Sequence, residues 1–254
     1  MRVFVTRPES EARRWVHEMR QRGIDALSFP LIAIVAASRS EPLRTAWQAL
    51  NGYRAVMFVS GNAVRHFFRQ RPAEADWPQG TRAWATGGGT CEALLESGIA
   101  ASLVDSPPPL AARFDSEALW QQVAGQVRPG DAVLIVRGGD ASGQAAGRDW
   151  LADQLVTAGA QVETVVAYLR AMPELDESQL AVARGGATGG AWLLSSSQAI
   201  AHLQVLLPAQ DWHAARAVAT HPRIAQAARR AGFGVVCESR PSVDAVVAAL
   251  ESFG

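Results

Sequence analysis

Residues 53–68, YRAVMFVSGNAVRHFF, decide the fold. Val56, Met57, Phe58 and Val59 form the short unbroken apolar run of a parallel strand covered on both faces. Ser60, Gly61 and Asn62 then make a tight polar turn, after which Val64, Phe67 and Phe68 recur at helical spacing. A strand that delivers small polar residues to a helix start leaves free backbone N–H groups at the positive end of a helix dipole. Such a turn is a seat for an anion.

The same unit recurs at residues 191–203, AWLLSSSQAIAHL. Phe58 falls on Leu194, Ser60 on Ser196, Asn62 on Gln198 and Phe67 on Leu203. Two further matches lie at nearly the same offset. Val3 to Arg7 echoes Val133 to Arg137, and each is followed by a helix pattern with Trp15 or Trp150, then by Gly23 or Gly159 and a strand. Arg82-Ala-Trp-Ala-Thr86 echoes Arg216-Ala-Val-Ala-Thr220, each leading to a helix pattern that ends at Gly98 or Gly232. Matching positions are 130 to 136 residues apart, and the internal order is A, B, A, B. Strands alternating with helices indicate parallel α/β sheets, and the collinear repeats indicate two similar domains.

Bulk properties narrow the function. The 254 residues suit two small domains, and 48% hydrophobic content supplies their cores. The chain has 24 basic and 24 acidic side chains, so there is no broad basic face for nucleic acid. An anionic ligand would have to be held by local donors rather than by the overall field. Cys91 and Cys237 lie far apart and fit no CxxC pattern, which reads as two reduced thiols. The apolar start MRVFV is cut by Arg7 and Pro8 and reads as a first strand rather than a leader. No run reaches the ~18 apolar residues of a membrane span. These features give the expectation of a cytoplasmic protein, and the lack of an exposed apolar repeat gives that of a monomer.

The familiar catalytic signatures fail. Gly138 to Gln144 (GGDASGQ) lacks the Lys and Ser/Thr of a phosphate loop. Gly87-Gly88-Gly89 follows a strand, but Glu92 stands where GxGxxG needs its last glycine. No GxSxG elbow surrounds Ser60 or Ser195 to Ser197, and the five histidines show no metal-ligand spacing, His66 and His202 being expected on helix surfaces. What remains is a row of polar turns at strand C-terminal ends, where open α/β sheets bind ligands. They are Thr6-Arg7, Ser60-Gly61-Asn62, Gly87-Gly88-Gly89-Thr90, Arg137-Gly138-Gly139, Ser195-Ser196-Ser197 and Thr220-His221. Small residues also simply make tight turns, but six such turns together favour a ligand cleft rich in N–H and hydroxyl donors. Arg7 and Arg137 are positioned to pair with carboxylates. Arg148, expected at a helix start, opposes the dipole there, which is more sensible if an anion binds nearby.

Taken in order, VTRP (5–8), FVSGNAV (58–64), ATGGGTCEAL (85–94), VLIVRGG (133–139) with Arg148 beyond, GAQVETVVAYLR (159–170), LLSSSQAI (193–200) and ATHPRIAQAARRAGF (219–233) resemble the uroporphyrinogen-III synthase family. The resemblance spans nearly the whole chain. It implies two flavodoxin-like or Rossmann-like parallel-sheet domains joined by a two-stranded linker, the first discontinuous: residues 1–35 with 172–254, and residues 40–165, with linkers at 36–39 and 166–171. It further implies cyclisation of linear hydroxymethylbilane with loss of water and inversion of the last ring, using no cofactor or metal. Tyr168, placed by the resemblance on the linker facing the cleft, would be the general acid, with Thr90 a donor to ring carboxylates. His221-Pro222-Arg223 departs from the family pattern, which often has a Gly and a Thr there. A non-catalytic two-domain protein binding a small polycarboxylate or phosphate ligand is the competing reading. A transferase using nucleotide or sugar phosphate would need a phosphate loop that the chain lacks.

Overall fold

A computed structural model describes residues 1–108, 116–145 and 149–253. In chain order the strands are β1 (Val3–Val5), β2 (Ala26–Ser28), β3 (Ala33–Ala36), β4 (Ala55–Phe58), β5 (Arg82–Ala85), β6 (Val104–Asp105), β7 (Ala132–Gly139), β8 (Gln161–Ala171), β9 (Ala191–Leu194), β10 (Arg216–Ala219) and β11 (Val235–Glu238). The α-helices are α1 (Glu9–Gln21), α2 (Glu41–Gln48), α3 (Gly61–Phe68), α4 (Gly88–Glu96), α5 (Ser116–Val123), α6 (Trp150–Thr157), α7 (Glu177–Gly186), α8 (Ser197–Leu206), α9 (Pro222–Arg230) and α10 (Val243–Glu251). None of the described helices is long and apolar enough to cross a membrane.

The chain divides into two compact units, Met1–Ala33 with Ala171–Gly254, and Ile34–Arg170. The sheet of the first unit runs β11-β10-β9-β1-β2, and the second sheet runs β3-β8-β7-β4-β5-β6. Leaving out β3, the two orders superimpose strand for strand: β1 takes the place of β7, β9 of β4 and β10 of β5. These are the three pairs that the sequence matches join. Every pairing among the five strands of the first sheet, and from β8 to β6 in the second, is parallel. The second unit is therefore a circular permutation of the first, which is why the repeats read A, B, A, B along the chain.

Both cores follow from the apolar runs. Val56 and Phe58 on one face of β4 join Phe67, Leu94 and Leu134, while Ala55 and Met57 on the other join Leu119, Leu151 and Leu155. In the first unit the Phe4 ring stacks on Trp192 at 4.4 Å between centroids, a contact worth about 0.5–1.5 kcal/mol beyond area burial.

Two local readings are corrected. Arg137, Gly138 and Gly139 are not a turn: β7 continues through them, and all three are buried and paired to β8. The reason is that β8 is itself long enough to carry the ladder past Val136, so the glycines remain as strand residues. Gly88, Gly89 and Thr90 do not precede a helix but form the first turn of α4, with extended Gly87 as its N-cap. Residues 166–171 are the final part of β8, whose neighbour on its outer side is β3.

Candidate functional site

In the second unit the C-terminal ends of β4 and β5 lie side by side, Phe58 opposite Ala85. Helices α3 and α4 start directly after these strands, so their N-termini converge. Thr86 Oγ1 donates to the Val59 carbonyl at 3.2 Å, tying one turn to the other. A Cβ placed on Gly61 would stand only 3.2 Å from the Gly89 carbonyl oxygen, so glycine permits the close approach. Ser60 caps α3 by accepting from the Ala63 N–H at 3.1 Å. That satisfies one of the orphan donors of the first turn and leaves those of Gly61 and Asn62, with those of Gly88 and Gly89 on α4, facing the same edge. Asn62 and Thr90 are 8% and 6% exposed. The sequence reading placed these groups correctly at strand ends.

Tyr168 is 1% exposed and so does not present an open face to solvent. The cause is a slip in the β7/β8 ladder at Arg137/Gly138, where Ala167 is passed over and Gly138 comes opposite Tyr168. A bulge of this kind re-aims a side chain. The phenol hydroxyl reaches Ser60 Oγ at 3.1 Å, and the ring lies 5.7 Å from that of His66. His66 is 8% exposed and not a surface residue. Burial first, then Arg69 and Arg65, lowers its pKa below the ordinary value of 6.5. Periodicity could have located it, since position 66 falls on the face of α3 next to Phe67.

Arg137 is buried and ion-paired with Asp149. Gly138 and Gly139 serve packing, their backbones held in the ladder. These three residues are thus not turn donors. Arg148 lies outside the described residues.

In the first unit the equivalent edge carries the ends of β1, β9 and β10. Thr6 is corrected from a ligand donor to an internal one: it is 1% exposed, and its Oγ1 donates to the Leu193 carbonyl at 2.6 Å. Arg7 pairs with Glu11 at 3.0 Å and lies over the Trp15 ring at 4.3 Å. Burial lowers its pKa, and Glu11 opposes the shift. Ser196 caps α8 by accepting from Gln198 N–H at 3.2 Å. The hydroxyl oxygens of Ser195 and Ser197 are buried without a hydrogen-bond partner among the described residues, which is costly in a native structure unless a ligand completes them. His221 is exposed and caps α9, its Nδ1 accepting from Arg223 N–H at 3.1 Å. This explains the departure from Gly at that position: a histidine with extended backbone does the work of a capping Ser.

The arrangement offers hydroxyl and N–H donors in each unit. Among the described residues no group of three or more His, Cys, Asp or Glu side chains is placed to hold a metal ion. The chemistry such sites perform is binding, orientation and proton donation to anionic or developing anionic oxygens.

The family model for uroporphyrinogen-III synthase HemD matches residues 13–248. The porphyrin biosynthesis protein HemD of Ruminiclostridium josui is 27% identical over 137 residues, which is 53% of this chain and 26% of that protein. The chain thus spans only about a quarter of that relative's length. The uroporphyrinogen-III synthase of Salmonella typhimurium is 30% identical over 244 residues, covering 92% of each chain. The crystal structure of uroporphyrinogen-III synthetase from Helicobacter pylori superimposes with a TM-score of 0.61 at 16% identity, covering 100% of both chains. That last likeness is one of fold.

Proposed function

The chain belongs to the uroporphyrinogen-III synthase family, and we propose that it closes hydroxymethylbilane to uroporphyrinogen III with inversion of the terminal ring and loss of water. The observation that carries this reading is the family match across residues 13–248, which takes in both units.

The donors at the starts of α3 and α4 bind substrate carboxylates, with backbone N–H groups of Gly61, Asn62, Gly88 and Gly89 and the Thr90 hydroxyl as partners. Ser195 and Ser197 are the corresponding donors of the first unit. Holding the linear chain folded brings the substituted carbon of the last ring onto the electrophilic methylene, so orientation supplies most of the catalysis.

Tyr168 and Ser60 act as a proton-donating pair. As the C–O bond of the hydroxymethyl group breaks, the departing oxygen takes the Ser60 proton and leaves as water, and Ser60 takes the proton of Tyr168. The azafulvenium cation that remains is attacked to give the spiro intermediate. Rearrangement and closure then release one ring proton, which restores the phenol. No electrons enter or leave.

The test is to supply freshly generated hydroxymethylbilane and resolve the type I and type III uroporphyrin isomers chromatographically after oxidation. A predominance of type III is expected. Type I alone, the product of uncatalysed closure, overturns the proposal.

A further inference from the structure

Arg65 stands one turn into α3, and the sequence reading assigned it no role. A helical side chain leans toward the N-terminus of its own helix, and the Arg65 guanidinium follows that rule to the end of α3. Its NH1 donates to Asn62 Oδ1 at 3.4 Å. The same nitrogen lies 3.4 Å from the point where a Cβ on Gly61 would stand, a point 3.2 Å from the Gly89 carbonyl oxygen. The guanidinium is therefore at the place where α3 and α4 begin together.

Arg65 itself belongs to the last turn of this eight-residue helix, but its NH1 reaches the N-terminal end, which is unfavourable for a cation. Two other arginines near helix starts have acids beside them: Arg7 has Glu11 and Arg44 has Glu41, each at 3.0 Å. Arg65 forms no ion pair among the described residues, and its hydrogen-bond partner Asn62 is neutral. Two polar side chains in the same first turns are more than nine-tenths buried and incompletely used. Asn62 is 8% exposed, and its amide nitrogen donates to no described residue. Thr90 is 6% exposed, and its hydroxyl makes no hydrogen bond with one. A cation, two helix N-termini and unused donor atoms of two largely buried side chains meet here with no anion among the described residues. His66, one residue along, has its pKa lowered first by burial and then by Arg69 and Arg65.

We propose that Arg65, steered by Asn62 across the paired starts of α3 and α4, is a substrate-carboxylate ligand that supplies the charge of a seat otherwise built from neutral donors. The inference rests on the functional reading above and adds a specificity-determining residue to it. A carboxylate ligand of this kind contributes to binding rather than to the chemical step.

The experiment compares wild type with Arg65→Gln and Arg65→Lys by steady-state kinetics on hydroxymethylbilane, and by fluorescence titration with uroporphyrin as a polycarboxylate probe. Loss of a uniformly bound contact raises KM without lowering kcat. Arg65→Gln is expected to raise KM and the probe Kd about 10-fold or more, with kcat within about threefold and an unchanged melting temperature. Arg65→Lys should recover part of the loss, because charge returns without the fork. KM and probe Kd of Arg65→Gln within twofold of wild type overturn the inference while leaving the synthase reading intact. Wild-type protein that yields only the type I isomer overturns the synthase reading instead, and the probe titration then decides whether Arg65 binds carboxylate at all.

Discussion

The ring of Tyr168 occupies the space that a side chain at position 138 would need: a Cβ on Gly138 would lie 2.5 Å from Tyr168 Cζ and 2.8 Å from its hydroxyl oxygen. The glycine that the sequence offers as a loop residue is thus the floor of a tyrosine pocket. It lets the phenol lie flat against β7 with its hydroxyl at Ser60.

Gly138→Ala should therefore displace Tyr168 and break its hydrogen bond to Ser60. Overpacking of this kind costs about 1–3 kcal/mol, so the urea midpoint should fall and kcat with it. A variant as stable and as active as wild type would show that the pocket tolerates the methyl group and that the ring position is not critical.

Tyr168→Phe keeps the ring and removes only the hydroxyl. Ser60 retains its bond to the Ala63 N–H, so the stability cost should be no more than about 1 kcal/mol. If the pair donates the proton, kcat should fall about 100-fold or more with KM little changed. Full activity in this variant would remove Tyr168 from the mechanism.

The unpartnered hydroxyls of Ser195 and Ser197 separate stability from binding. Replacing either by Ala removes a buried oxygen that has no bond to lose, so the melting temperature should hold or rise slightly. KM for hydroxymethylbilane should increase several-fold at the same time. A fall in stability with unchanged KM would mark them as structural groups.

His66 gives a pH dependence with a definite sign. Its folded-state pKa lies below 6.5 because of burial, then Arg69 and Arg65, so below pH ~6.5 the unfolded chain takes up the proton more readily. Stability should therefore decline as pH falls through and below that value, where the neutral buried ring must pay for charging. The groups facing His66 from its own helix are the two arginines, and from β8 the Tyr168 ring. His66→Phe should flatten this part of the curve, measured as urea midpoints across pH 5 to 8; an unchanged slope would place the proton uptake elsewhere.

Much of the fold was legible because it rests on local periodicity. The apolar runs at Val56 to Val59 and Ala191 to Leu194 could only be doubly covered strands, and the polar residues after them could only open helices. Their repetition at one offset carried the two-unit organisation and even the pairing of equivalent strands. The helix-start donors of Ser60 to Asn62 and Ser195 to Ser197 were visible for the same reason, since capping is a matter of three or four consecutive residues.

What local pattern could not reveal was where one strand stops when its neighbour continues. The strand β7 runs on through Gly138 and Gly139 because β8 offers it partners, and nothing between Ala132 and Gly139 announces that. Nor did spacing show that Thr6 turns inward to Leu193, a residue brought beside it only by strand pairing. The burial of Tyr168 depends on a one-residue slip between two strands, and the placing of Arg65 depends on two helices starting side by side. The sequence by itself determined the elements, their repeat and the kind of donor at each strand end. Tertiary structure alone decided which of those donors are spent within the protein and which are left unspent, because that choice is made by partners far apart in the chain.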